Sequence, residues 1–202
     1  MAKSHMSEPR IETWFPKTIF VRDNVCPEIL NNLEESVKSL SETKRTGSFN
    51  VDSSHLTNRM MQKEKYFDEL SESILNNNKI YLTNLGYCED FISDCFIGNM
   101  WYNVSNKGDY LFPHSHPGCI VAGAFYVKTV EENNIIFYDT INPSFEPPKY
   151  DNPLNWATAK YSCIPGRLLL FRGDMIHGTP CQNTDGEKIV ISFNIVKSIE
   201  KF

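Results

Sequence analysis

The chain has 202 residues, 41% of them hydrophobic and 12% aromatic, enough for one globular domain with a sizeable core. A formal charge of −5 without any Lys/Arg-rich run argues against the basic face that a large nucleic-acid footprint needs, leaving room for no more than a local basic groove. No run approaches the roughly 18 apolar residues that span a bilayer, and the start lacks a signal-peptide pattern, so a soluble cytoplasmic protein without a membrane partner is expected.

The opening MAKSHM reads as an expression-vector scar. Residues 1–5 are therefore set aside as a tag remnant, and 6–202 are expected to form a single domain. In TWFPKTIFVRD (13–23) the TIFV section suits a strand. CPEILNNLEESVKSLSE (26–42) places Ile29, Leu30, Leu33, Val37 and Leu40 at helical spacing, which predicts an amphipathic helix. The polar, Gly/Ser-rich stretch 43–59 reads as a loop with His55 solvated in it. Helical periodicity returns over 63–87 through Phe67, Leu70, Ile74 and Ile80.

From residue 91 the character changes to short β-rich segments split by Gly, Pro and Asn: DFISDCFIGNMWYNVS, CIVAGAFYVKTV, NIIFYDT, ATAKYSC, GRLLLFR and KIVISFNIVKS. This spacing predicts an antiparallel sandwich or jelly roll with helices covering one sheet. The segment 141–156, rich in proline and without periodicity, reads as a long loop near the mouth of the fold. The six cysteines are scattered and form no CxxC pair, so they are expected to be reduced core thiols.

Four histidines remain once His5 is set aside: His55, His114, His116 and His177. Two stand one residue apart in FPHSHPG, where a surface accident, a buried structural pair and two metal ligands are all open readings. On a strand, residues i and i+2 point to one face, so the imidazoles of His114 and His116 can aim at one point. Pro113 and Pro117 bracket the pair and suit a strand edge. His177 follows 61 residues later in RGDMIHGTP, just past a strand.

GDYLFPHSH resembles the segment of prolyl-4-hydroxylase-type 2-oxoglutarate/Fe(II) oxygenases in which a Gly precedes the first ligand by six residues; in that family it ends in HxD. IPGRLLLFRGDMIHGTPC resembles the family's Pro-x-Gly, apolar strand and distal His followed by Pro. WFPKTIF, WYN, GAFYV and SFN are shared with a branch of such oxygenases frequent in phages and marine bacteria; for a phage protein the host cytoplasm is the expected location. The resemblance implies a mainly β chain with flanking helices, folded as a double-stranded β-helix or cupin-like jelly roll.

It further implies Fe(II) as cofactor and 2-oxoglutarate and O2 as co-substrates, with succinate and CO2 released as an unactivated C–H bond is hydroxylated. His114 and His177 match the family's two histidines. His116 stands where most members place a carboxylate, which leaves the metal unit one charge more positive. Asp139 is the alternative carboxylate ligand, and Asp174 a partner that could orient His177. Lys188, eleven residues after His177, falls where the family holds the co-substrate, with Tyr126 as a hydroxyl donor beside it. Ser192 and Asn194 share the parity of Lys188, and Asn103 is expected to point into the barrel as well. Trp101, Phe112 and Trp156 read as core or rim packing. The implied substrate is a protein or peptide, prolyl by analogy, or a small metabolite. The alternative is a non-oxidative cupin-type metal-binding module or lyase that uses the same three histidines.

Overall fold

The computed structural model describes residues 10–40, 44–46, 49–139, 149–150 and 152–198. Residues 1–5, expected to be a tag remnant, and residues 141–148 and 151 of the expected long loop lie outside the described residues. Eleven strands are described: β1 (Ile19–Arg22), β2 (Lys44–Thr46), β3 (Phe49–Ser53), β4 (Cys95–Ser105), β5 (Tyr110–His114), β6 (Val121–Lys128), β7 (Asn134–Tyr138), β8 (Thr158–Ser162), β9 (Leu168–Arg172), β10 (His177–Thr179) and β11 (Lys188–Lys197). Three helices join them: α1 (Leu30–Ser39), α2 (Asp68–Asn84) and α3 (Glu89–Ser93).

The strands pair antiparallel in the order β1-β9-β6-β11-β4-β3-β5-β10-β7-β8, with β2 added to β3. β3 is the corner. It pairs with β4 through Asp52 and Ser53 and with β5 through Phe49 and Asn50, so the sheet curls and its two arms face each other. This is the jelly-roll architecture, mainly β with flanking helices.

Period-2 alternation assigns the two faces of the long arm. On β11, Ile189, Ile191, Phe193 and Ile195 are fully buried beneath the helices, whereas Lys188, Val190, Ser192 and Asn194 turn into the space between the arms. On β6, Ala122, Ala124 and Tyr126 do the same and meet Phe171 of β9 and Phe137 of β7. The helices supply Leu33 and Val37 from α1 and Leu70, Ile74 and Leu82 from α2, all nearly inaccessible to solvent. Truncating any one of these to Ala is worth about 2–5 kcal/mol.

Two glycines are demanded by close approach. At Gly123 a Cβ would lie 2.2 Å from Cζ of Phe193, so the ring can cover β6 only if that side chain is absent. At Gly98 a Cβ would lie 2.9 Å from Val196 Cγ2, and here β4 skips register: Asn194 opposes Asn99 but Ile195 opposes Ile97. This bulge lets both Ile97 and Met100 face the helices, and it turns Asn99, Trp101, Asn103 and Ser105 inward.

Several elements differ from the sequence reading. The described part of 43–59 is not a loop: it holds β2, β3 and a 3-10 turn at Ser54–Leu56, a polar strand pair at a corner that buries Val51. The second helix begins at Asp68 after two 3-10 turns, and Ile80 is 43% exposed because the buried stripe passes through Asn78, Tyr81 and Leu82 instead. Residues 90–93, which open the first segment of the β-rich region, instead belong to α3 (Glu89–Ser93), begun by the acidic pair Glu89 and Asp90 at its N-terminus. Cys88 and Cys181 are exposed rather than core thiols, although all six cysteines are free. Among the described residues no helix is long and apolar enough to cross a membrane.

Candidate metal centre

β5 and β10 pair antiparallel with His177 directly opposite His114. β5 ends at His114, and His116 lies in the turn beyond, its backbone N–H donating to the Gly173 carbonyl at 2.8 Å. That approach requires glycine, since a Cβ on residue 173 would sit 2.5 Å from the Cys119 carbonyl and 2.9 Å from that of His116. The strand register and this one turn bring the three rings together. Their centroids are 4.5 Å (His114–His177), 5.1 Å (His116–His177) and 5.3 Å (His114–His116) apart. One ligand atom from each lies within 4.8 Å of the other two, and no Asp, Glu or Cys among the described residues joins this group.

Each ring is held from behind. His114 Nδ1 donates to the Phe112 carbonyl at 2.8 Å, His177 Nδ1 to the Met175 carbonyl at 2.9 Å, and His116 Nδ1 to Asn194 Oδ1 at 2.5 Å. All three partners are carbonyl oxygens, which only accept, so the proton belongs on Nδ1 and the lone pair on Nε2. Burial also keeps the rings neutral. It pushes the pKa of His116 down to about 4 and, together with repulsion from His114, that of His177 down to about 3; His114 is lowered by the same desolvation. Three uncharged imidazoles with their outer nitrogens already engaged fit a divalent first-row metal.

Neither candidate carboxylate is placed among them. Asp139 accepts from the Lys17 ammonium at 2.7 Å, and Asp174 is paired with Arg172 at 2.8 Å with its side chain 65% exposed. The position next to His177 that Asp174 was expected to fill is taken by the Met175 carbonyl.

The histidines stand in a cavity of about 390 Å³ between the arms. Tyr126, Lys188, Ser192, Asn194 and Asn103 all line it. Lys188 is 3% exposed and donates to Asn133 Oδ1 at 2.8 Å; among the described residues no carboxylate lies within ion-pair distance, and burial pushes its pKa down. Asp109, whose charge it feels, is bound by two guanidinium nitrogens of Arg45 at 2.8 and 3.0 Å. The buried phenol of Tyr126 hydrogen-bonds with Cys163 near this end, its pKa raised by desolvation. Asn103 donates to Ser192 Oγ at 3.1 Å and accepts from Ser53 Oγ at 2.6 Å. Asn194 is occupied with His116 and, through its amide, with Asn99 at 3.3 Å. Arg167 and Arg172, the other cations of the distal segment, are taken by Asp23 and Asp174 on the outside.

Sequence reasoning missed five contributors. His55 is not solvated: it sits edge-on to Trp101 at 4.9 Å and lines the cavity with Arg59. Trp101 in turn lies 5.7 Å from His116. Asn133 and Gln182, hydrogen-bonded to each other at 3.3 Å, back Lys188 from outside its own strand. The alternation Val51, Ser53, His55 was the one available signal for the His55 side. Phe112 and Trp156 are exposed, and the described part of 149–156 does not line the cavity.

Fold and site together define a jelly-roll protein built around a single three-imidazole cluster. Residues 99–194, just under half of the chain and containing all three histidines and Lys188, match the family described as "Putative 2OG-Fe(II) oxygenase". The fold is similar to the viral collagen prolyl hydroxylase of Paramecium Bursaria Chlorella virus-1 in its 2-oxoglutarate complex (14% identity, 88% of this chain and 94% of that one, TM-score 0.61). It is also similar to a Pseudomonas putida prolyl-4-hydroxylase (8%, 90% and 94%, 0.61) and to HygX of Streptomyces hygroscopicus with nickel and 2-oxoglutarate bound (10%, 90% and 84%, 0.63). No curated protein matches the chain in sequence. Over residues 99–194 the chain is therefore similar to the 2-oxoglutarate/Fe(II)-dependent oxygenases, and its likeness to the solved structures shows the jelly-roll fold that it shares with them.

Proposed function

We propose that the protein is a hydroxylase of an unactivated C–H bond in which His114, His116 and His177 hold Fe(II) and Lys188 holds the distal carboxylate of 2-oxoglutarate. The observation that carries this reading is the pairing, in one cavity, of a neutral three-imidazole cluster with a buried ammonium that has no carboxylate within ion-pair distance among the described residues. A buried cation without a counter-charge costs several kcal/mol, and a dianionic co-substrate supplies that charge. Bound iron would activate O2 at the expense of the 2-oxo acid, so that substrate, 2-oxoglutarate and O2 give hydroxylated product, succinate and CO2.

The protein's own contributions are orientation and exclusion of water. The Phe112 and Met175 carbonyls and Asn194 fix the three rings, and Phe171, 4.6 Å edge-on to His177, gives the cluster a dry wall. Tyr126 closes the Lys188 end with a neutral phenol. A prolyl substrate is supported by the likeness to the two prolyl hydroxylases. The test is Fe(II)-dependent release of succinate from 2-oxoglutarate by the purified protein: release that disappears in both His114→Ala and His177→Ala supports the assignment, and undiminished release in either contradicts it.

A further inference from the structure

Although the chain has 25 acidic against 20 basic residues, among the described residues no aspartate or glutamate lines the cavity. Two fixed cations do: Lys188 at the buried end, and Arg59, which is solvent-exposed and therefore at the mouth. Arg59 has no ion pair among the described residues, whereas Arg10, Arg45, Arg167 and Arg172 are each paired with a carboxylate and Arg22 is taken up by the Asn77 amide oxygen. Its place is fixed by the backbone, because the Arg59 carbonyl accepts from the Met100 N–H at 2.9 Å, between Asn99 and Trp101, both of which face the cavity. From there His55 and Trp101 form a wall that reaches His116 through ring contacts of 4.9 and 5.7 Å.

We infer that the primary substrate carries a carboxylate, which Arg59 binds at the mouth while the body of the molecule lies along His55 and Trp101 toward the histidine cluster. The inference rests on the oxygenase reading above. With three neutral imidazoles, Fe(II) brings two positive charges, Lys188 and Arg59 one each, and 2-oxoglutarate removes two. A net charge of about two positive units then remains in a partly desolvated cavity, one more than in a site whose third ligand is a carboxylate. An anionic substrate offsets that excess, and a guanidinium presents the fork that a carboxylate matches.

The experiment is calorimetric titration of the anaerobic Fe(II)·2-oxoglutarate protein with small carboxylic acids, N-acetyl-L-proline among them, each paired with its primary amide. N-acetyl-glycyl-L-proline and its amide separate a peptide terminus from a free acid. Either form binding roughly ten-fold or more tightly than its amide, with the preference lost in Arg59→Ala and largely kept in Arg59→Lys, supports the inference. Equal binding of acids and amides, no binding by any acid, or a preference that survives Arg59→Ala overturns it. So does weaker 2-oxoglutarate binding in Arg59→Ala, which would put the guanidinium on the co-substrate. The visible charge-transfer band of a 2-oxo acid chelated to Fe(II) serves as the control: its absence from the wild-type protein is a failure of the oxygenase site, whereas its presence with no acid preference is a failure of this inference alone.

Discussion

Asn194 Oδ1 lies 2.5 Å from Nδ1 of His116, and the two residues are brought together from β11 and from the turn after β5. The carboxamide does for this ring what backbone carbonyls do for His114 and His177: it fixes the tautomer and aims the other nitrogen at the cluster. Truncating it frees the ring to turn away from the cluster. Asn194→Ala is expected to weaken Fe(II) binding about 10- to 100-fold with the circular dichroism spectrum unchanged, as read by metal titration under anaerobic conditions.

Lys188 separates binding from stability. Replacing it with Met removes an ammonium that is 3% exposed and keeps the length of the side chain. Affinity for 2-oxoglutarate should fall on the order of 100-fold, because a charge-assisted contact and a counter-charge are both lost. Denaturant unfolding of the metal-free protein should show no loss of stability, since an uncompensated buried charge gives way to an apolar chain. A drop in stability with unchanged co-substrate affinity would make Lys188 a structural residue.

A pH effect is expected far from the cavity. Glu34 on α1 accepts from Lys128 at 2.7 Å and from Lys38, and these contacts hold its pKa below the ordinary value of 4.5. Because the folded pKa is the lower one, the unfolded chain binds the proton first as the pH falls. The stabilisation is full above about 4.5 and is lost as the pH drops through the folded value. Comparing wild type with Glu34→Gln in urea should show a difference of no more than about 1 kcal/mol at pH 7, shrinking below pH 4.5. A difference that does not change with pH would assign the effect to packing.

The readable and unreadable parts of this chain divide on physical grounds. KIVISFNIVK alternates without interruption on a central strand, so the inward turn of Lys188, Ser192 and Asn194 follows from parity alone. The meeting of His114 with His177 needed more than parity, since it depends on β5 and β10 being neighbours, and only the resemblance over both segments carried that. On β4 the bulge at Gly98 resets the parity, which no local pattern announces. Arg59 and His55 escaped because a polar corner strand and a 3-10 turn have the composition of a loop. Asn133 escaped because it lies outside any strand and reaches Lys188 only through the tertiary fold. Asp139 and Asp174 looked suitable by sequence distance, yet each sits beside a surface cation that claims it.

The most direct test of the account is anaerobic titration of the metal-free protein with Fe(II) and then 2-oxoglutarate, followed by visible absorption. One iron per chain and a charge-transfer band that saturates with one equivalent of 2-oxoglutarate, both lost in His177→Ala, is the predicted result. Iron bound without any band, or a band that survives His177→Ala, would contradict a three-histidine centre that chelates the co-substrate.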